Sequence, residues 1–98
     1  MTDATPQIVR EDFGTKARYV ARTPEGEAEL ALSILSPTLV IADHTAVPKQ
    51  LEGKGFAYAL LKRLISDARA EGFKIVPLCP YVNAQSARHP DWADLFST

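Results

Sequence analysis

Apolar residues in the first half of the chain recur with a period near two. Residues 7–13 hold the extended-looking pair Ile8-Val9 and end at Gly14, and residues 17–23 hold Tyr19 and Val20. In residues 29–35, Leu30, Leu32 and Ile34 fall on one face while Ala31, Ser33 and Leu35 fall on the other, the alternation of a strand with one face buried. Residues 38–47 begin with the run Leu39-Val40-Ile41. Pro24-Glu25-Gly26-Glu27 and Ser36-Pro37 punctuate these runs, since proline presets a turn φ and glycine accepts a positive one. Connections this short predict antiparallel hairpins and so a meander.

The period then changes to 3.6. Between Phe56 and Glu71, the residues Ala57, Leu60, Leu61, Leu64, Ile65 and Ala68 make one apolar stripe, with Lys62, Arg63, Asp67, Arg69 and Glu71 largely off it. This spacing predicts a helix about 24 Å long. Gly72 is placed to close it, because a helix end often needs a residue that accepts positive φ. Residues 73–79, centred on Ile75-Val76, read as another strand with Pro77 at a bulge or edge. Residues 83–88 read as a short helix. A last helix is predicted to start at Pro90 and bury Trp92, Leu95 and Phe96.

Composition narrows the class. The 98 residues suit one domain, spanning 1–98, and 46% apolar with 23% charged residues is a globular balance. Eleven basic and twelve acidic residues leave a net charge of −1, so no overall field draws the chain to nucleic acid. Residues 1–6 lack the basic start and apolar stretch of a signal peptide. No apolar run approaches the ~20 residues that cross a bilayer. The expectation is a soluble cytoplasmic protein with neither a nucleic-acid nor a membrane partner. A single cysteine, Cys79, excludes an internal disulfide, and no Cys/His cluster has zinc spacing, so no metal is expected.

Gln50-Leu51-Glu52-Gly53-Lys54-Gly55 joins the strand-like half to the long helix. Two glycines here let a turn expose backbone N–H groups at the positive end of the helix dipole, which suits phosphate. A Walker A loop is excluded, because Phe56 follows Gly55 where lysine and a hydroxyl are needed. A dinucleotide fingerprint is excluded too, since Tyr58 stands at the third glycine and no parallel unit opens the chain. A loop with no ligand remains the plain alternative. Lys49 and Lys54 add charge to an anion site or are ordinary surface lysines.

Further motifs accompany the loop: His44-Thr45-x-Val47-Pro48, Pro77-x-Cys79-Pro80-Tyr81-Val82 and Arg88-His89-Pro90. In this order, over residues 13–95, they resemble a small single-domain branch of the GNAT acetyltransferase superfamily. The resemblance implies an α+β fold of the acyl-CoA acyltransferase type in a minimal version. Its sheet is mixed and mostly antiparallel, with one main helix and short C-terminal helices. It also implies acetyl-CoA or CoA as cosubstrate. Thr45, Ala46 and Val47 would offer backbone groups to the pantetheine arm, and Gln50, Leu51, Glu52, Gly53, Lys54, Gly55 and Phe56 would hold the pyrophosphate. Asn83 would bind the arm or serve as a turn residue.

For catalysis the resemblance points to three side chains. Cys79, at the end of the second splayed strand, either accepts the acetyl group, shapes the site, or is a buried structural thiol. His44 is a candidate base or a structural histidine. Tyr81 would protonate the leaving thiolate. Arg88 would reach a CoA phosphate or an acidic substrate, or face solvent, and His89 would cap the last helix. The implied reaction moves acetyl to a primary amine of a protein, a peptide or a small molecule, directly or through Cys79. The alternative is a non-catalytic CoA-binding regulatory module. Few residues follow Tyr81, so part of the usual acceptor wall is missing. An open cleft suits a protein or peptide amine, and a monomer or weak homodimer is expected.

Overall fold

The computed structural model describes residues 7–97. Residues 1–6, read above for a targeting signal, lie outside the described residues. Five strands form one sheet in chain order: β1 (Ile8–Asp12), β2 (Lys16–Thr23), β3 (Gly26–Ser36), β4 (Leu39–Ala46) and β5 (Lys74–Pro77). The first four are an antiparallel meander, and β5 returns parallel to β4. The long helix α1 (Phe56–Glu71) makes that return, as a parallel pair requires a crossover. A shorter helix α2 (Pro80–Arg88) and a 3-10 helix (Pro90–Leu95) follow. This mixed sheet with one main helix is the small GNAT α+β arrangement that the motifs implied.

Alternation sorts the sheet residues by face. Ala17, Tyr19 and Ala21 of β2, Ala28, Leu30 and Leu32 of β3, and Val40 and Ala42 of β4 join Leu60, Leu61, Leu64, Ile65 and Ala68 of α1 in the core. Burying each large aliphatic of that set stabilises the fold by about 1.5–3 kcal/mol relative to exposure. Ala57, at the head of the stripe, is only half-buried because the first turn of α1 borders a cavity. Val82, Trp92 and Leu95 extend the core on the same face, so the other face of the sheet carries no helix. There Val20 is fully buried between Arg18 and Arg22, whose apolar stems cover it while their charged ends bond carboxylates.

Several boundaries differ from the sequence reading, and β3 begins at Gly26 rather than Glu29. β5 stops at Pro77 and α2 begins at Pro80 rather than Asn83. Proline at the first helical position gives up an N–H that the helix would leave unpaired in any case. The last element is a 3-10 helix ending at Leu95, and Phe96 instead bridges to Ile75, with the Ser97 N–H donating to the Ile75 carbonyl at 2.8 Å. That contact covers part of the free edge of β5. Asp67, read as a solvent-side residue of α1, accepts from the buried Tyr19 hydroxyl at 2.7 Å and from Arg10 and Arg63. Burial, and then the Asp67 carboxylate, hold the Tyr19 phenol well above its usual range, so it stays a donor.

Tyr19→Phe keeps the ring and deletes that donor. It should cost about 1 kcal/mol and lower the thermal midpoint by roughly 4–8 °C. An unchanged midpoint in a thermal melt would show that Arg10 and Arg63 satisfy Asp67 alone.

Candidate functional site

β4 has two neighbours for only half its length. It pairs with β5 from Leu39 to Ala42, and the Cys79 N–H then donates to the Ala42 carbonyl at 2.8 Å. Beyond this point the chain turns into α2, while His44, Thr45 and Ala46 stay paired to β3 alone. Thr45 and Ala46, predicted to face a ligand arm, therefore lie on a strand segment whose second edge has lost its partner.

The loop after β4 is fixed from several sides. Lys49–Leu51 form one 3-10 turn, and Leu51 plugs it into the interior at 1% exposure. The Gln50 side chain donates to the Glu25 carbonyl at 2.6 Å, so it ties the loop to the β2–β3 turn rather than facing outward. Gly53 and Gly55 both have positive φ, 78° and 83°. A Cβ at either would meet nothing within 4 Å, so the backbone conformation and not crowding demands glycine. Gly55 caps α1 without a side-chain bond. The first-turn N–H groups of α1 consequently have no capping side chain, as an anion site requires.

A cavity of about 250 Å³ opens against this loop, lined by Val47, Leu51, Glu52, Gly53, Gly55 and Phe56, by Ala57 and Tyr58 of α1, and by Tyr81 of α2. Leu51, Glu52, Gly53, Gly55 and Phe56 of the predicted set thus line one cavity with Tyr81, whereas Gln50 and Lys54 do not line it. Lys54 is exposed beside them. Burial first, and then the nearby Tyr58, raise the Tyr81 phenol above its usual range, which keeps its proton on at neutral pH. Asn83 is exposed and donates to the Pro77 carbonyl at 3.3 Å, tying α2 back to β5.

The structure does not bring Cys79 and His44 together. Cys79 is 2% exposed in the core, with the Thr45 hydroxyl 3.3 Å from its sulfur. His44 faces the helix-free side of the sheet. A bulge between Ala42 and His44 makes Asp43 the extra residue against β3 and puts His44 opposite Ala31. There its Nε2 lies 3.2 Å from a Glu29 oxygen. Glu29 is a residue that the sequence reading missed, since only the β3–β4 register reveals it. It accepts from Arg18 at 2.8 Å, Arg18 also bonds Glu11, and Glu11 bonds Arg22. Beside this chain of charges lies a groove of about 480 Å³ lined by Phe13, Lys16, Arg18, Glu29, Ala31, Asp43 and His44 among others. A carboxylate oxygen only accepts, so Nε2 is the ring nitrogen placed to donate to Glu29.

His89 makes no side-chain capping bond at the start of the 3-10 helix; its ring stacks on Trp92 instead. Among the described residues, no group of three or more His, Cys, Asp or Glu side chains is placed to hold a metal ion. No helix there is long and apolar enough to cross a membrane.

A family model described as GCN5-related N-acetyl-transferase matches residues 18–95. That span covers the meander from β2, the loop, both helices and the 3-10 helix. No curated protein matches the chain.

The charge chain on the bare face predicts an acid limit. Hydrogen bonds from Arg18 hold the Glu29 carboxyl below its ordinary 4.5, and those from Arg22 and Arg18 do the same for Glu11. A carboxyl with a depressed folded-state value stabilises the fold fully above its unfolded value, and this contribution is lost as pH falls through the folded one. Urea midpoints should therefore drop below about pH 4.5, and less steeply in Glu29→Gln. Equal slopes for the two proteins would mean that Glu29 contributes nothing to this limit.

Proposed function

The chain belongs to the GCN5-related N-acetyltransferase family, and from that premise we propose that it transfers acetyl from acetyl-CoA to a primary amine by direct attack of the amine. One observation carries the reading. The glycine loop, the uncapped start of α1, Val47 and Tyr81 converge on one cavity where β4 and β5 part. Acetyl-CoA brings an acetyl thioester, already activated for attack by an amine. The residues fit it: Gly53, Gly55 and Phe56 would hold the pyrophosphate through backbone N–H groups, and Thr45, Ala46 and Val47 would lie along the arm.

Each side chain then has a task that its surroundings support. Tyr81 keeps a proton at neutral pH and lines the cavity, so it is the proton donor to the departing sulfur. His44 takes the proton of the acceptor amine, with Glu29 orienting its ring. The acceptor approaches by the groove on the helix-free face, across β4 from the loop cavity. Cys79 is buried beside Thr45 with no histidine at hand. Direct attack is favoured over an acetyl-cysteine route for that reason. The open groove suits the amine of a peptide or a flexible protein segment.

Acetyl-CoA at ~100 times its dissociation constant should stabilise the protein by about 2.7 kcal/mol, seen as a rise of roughly 10–20 °C in the thermal midpoint. Gly53→Asp, which sets a carboxylate against the phosphates, should abolish the rise. CoA release should accompany incubation with some member of a peptide and small-amine panel. No shift at millimolar ligand sinks the proposal, and binding without turnover sinks its catalytic half.

Tyr81→Phe should lower kcat by about 100-fold with KM for acetyl-CoA little changed, the pattern for a group acting on the reacting atoms. Cys79→Ser should keep turnover within about tenfold (about 1.4 kcal/mol in barrier). Mass spectrometry of the protein with acetyl-CoA and no amine should find no acetylated Cys79. A stable acetyl adduct there would reverse the preference for direct attack.

A further inference from the structure

The donor reading leaves unused a cluster of three rings at the edge of the loop cavity. His89 stacks on Trp92 with centroids 4.0 Å apart and planes 18° from parallel. Tyr58 lies 5.9 Å from His89 and 6.3 Å from Trp92, with planes within 30° of both. Trp92 is buried, whereas Tyr58 is 38% exposed and also lines the cavity. The cluster is therefore anchored in the core at one end and open beside the phosphate loop at the other. Core packing explains Trp92 but gives no reason for three near-parallel rings reaching the surface here.

Beside the rings Arg88 is unusual among the arginines of the described residues, while the lysines there resemble Lys49 and Lys74 in making no ion pair. Arg10, Arg18, Arg22, Arg63 and Arg69 each hold a carboxylate. Arg88, next to His89, makes no ion pair among the described residues, and neither do Lys54 in the loop or Lys62 on α1. Lys62 instead places its Nζ 5.8 Å from the Tyr58 ring centroid, so a cation already uses the π face of that ring. Glu52 and Asp91 are the exposed acids nearest in sequence to these groups. The cavity itself, at about 250 Å³, is smaller than the ~300–1,000 Å³ typical of small-molecule sites. A long ligand held by its pyrophosphate at Gly53–Gly55 must extend past it.

We propose that the Tyr58–His89–Trp92 cluster is a stacking platform for the adenine of the acyl carrier, and that Lys62 and Arg88 receive its ribose phosphate. This rests on the acetyl-CoA reading and adds the site for the nucleotide end. A purine fits because its flat π surface matches near-parallel rings and stacking tolerates small offsets. Lys62 is displaced from the Tyr58 face by the base and turns toward the phosphate, while Arg88 makes a forked contact with phosphate oxygens. Pantetheine then occupies the cavity and adenosine lies outside it, on the platform.

Calorimetric titrations with CoA, dephospho-CoA and 4′-phosphopantetheine, which lacks the whole adenosine 3′,5′-bisphosphate half, separate these parts. Wild type should bind CoA at least about tenfold tighter than 4′-phosphopantetheine, a difference of about 1.4 kcal/mol. His89→Ala, which does not line the cavity, should narrow that gap without weakening 4′-phosphopantetheine, Tyr58→Phe should keep it, and Arg88→Ala should reduce any preference of CoA over dephospho-CoA. Adenosine 3′,5′-bisphosphate alone should compete with CoA. Equal affinities for CoA and 4′-phosphopantetheine in wild type would overturn the platform and leave the donor reading standing. So would a His89→Ala loss shared by both ligands, with the fold checked by circular dichroism. If neither ligand binds wild type, the donor reading fails and the platform fails with it.

Discussion

The Cys79 N–H bond to the Ala42 carbonyl closes the parallel pair of β4 and β5, and the site is arranged around what happens after it. Ala42 still faces the core beneath α1, whereas the next residues of β4 are held from one side only. Two local causes act together at this point. The bulge at Asp43 alters the register of β4 against β3, and Pro80 starts a helix that carries the other chain away. Either alone would leave a ragged sheet edge. Together they make an opening bordered by α1, α2 and the loop after β4, a loop that buried Leu51 and the Gln50 bond to Glu25 hold in place.

The two faces of the sheet solve different physical problems. One is sealed by α1 and the C-terminal helices over an apolar core. The other is kept in water by a chain of alternating charges from Arg22 through Glu11, Arg18 and Glu29 to His44. Exposed pairs of this type contribute little stability each. Their geometric effect is larger, because each fixes the next and the last fixes an imidazole beside an open groove. The same charges sit on a two-layer domain that has no helix to spare for this face.

Much of the fold could be read from local signals. The bounds of α1 agree with the sequence because both ends are marked by glycines, Gly55 and Gly72, that adopt the left-handed conformation such ends favour. The meander followed from alternation and short turns. The passage from β5 to α2 was less legible, since Pro77 and Pro80 both suggest extended chain while one of them begins a helix. Within the candidate site, the loop and Tyr81, which line one cavity, stand out in the sequence because their motifs are contiguous. Glu29 escaped because it meets His44 only through strand register, shifted by a bulge that no short motif encodes. The pairing of Cys79 with Thr45 in place of His44 has the same origin, as the bulge puts Thr45 rather than His44 on the face of Ala42 and the core. Likewise, His89 looked like a cap beside its proline, and only the 3-10 turn, which eclipses positions three apart, sets its ring on Trp92.

The crossover between β4 and β5 also orders the molecule in time. The meander closes through neighbouring residues, with little chain to bring together at each step. The opening at Ala42 needs the whole of α1 laid down before Cys79 can return to β4. A chain emerging from its N-terminus could pair four strands and still have no cleft. The wall carrying Tyr81 is added only when the last quarter of the sequence arrives. The part of the molecule that would meet the ligand thus waits for the longest closure among the strand pairings, and its appearance coincides with completion of the core.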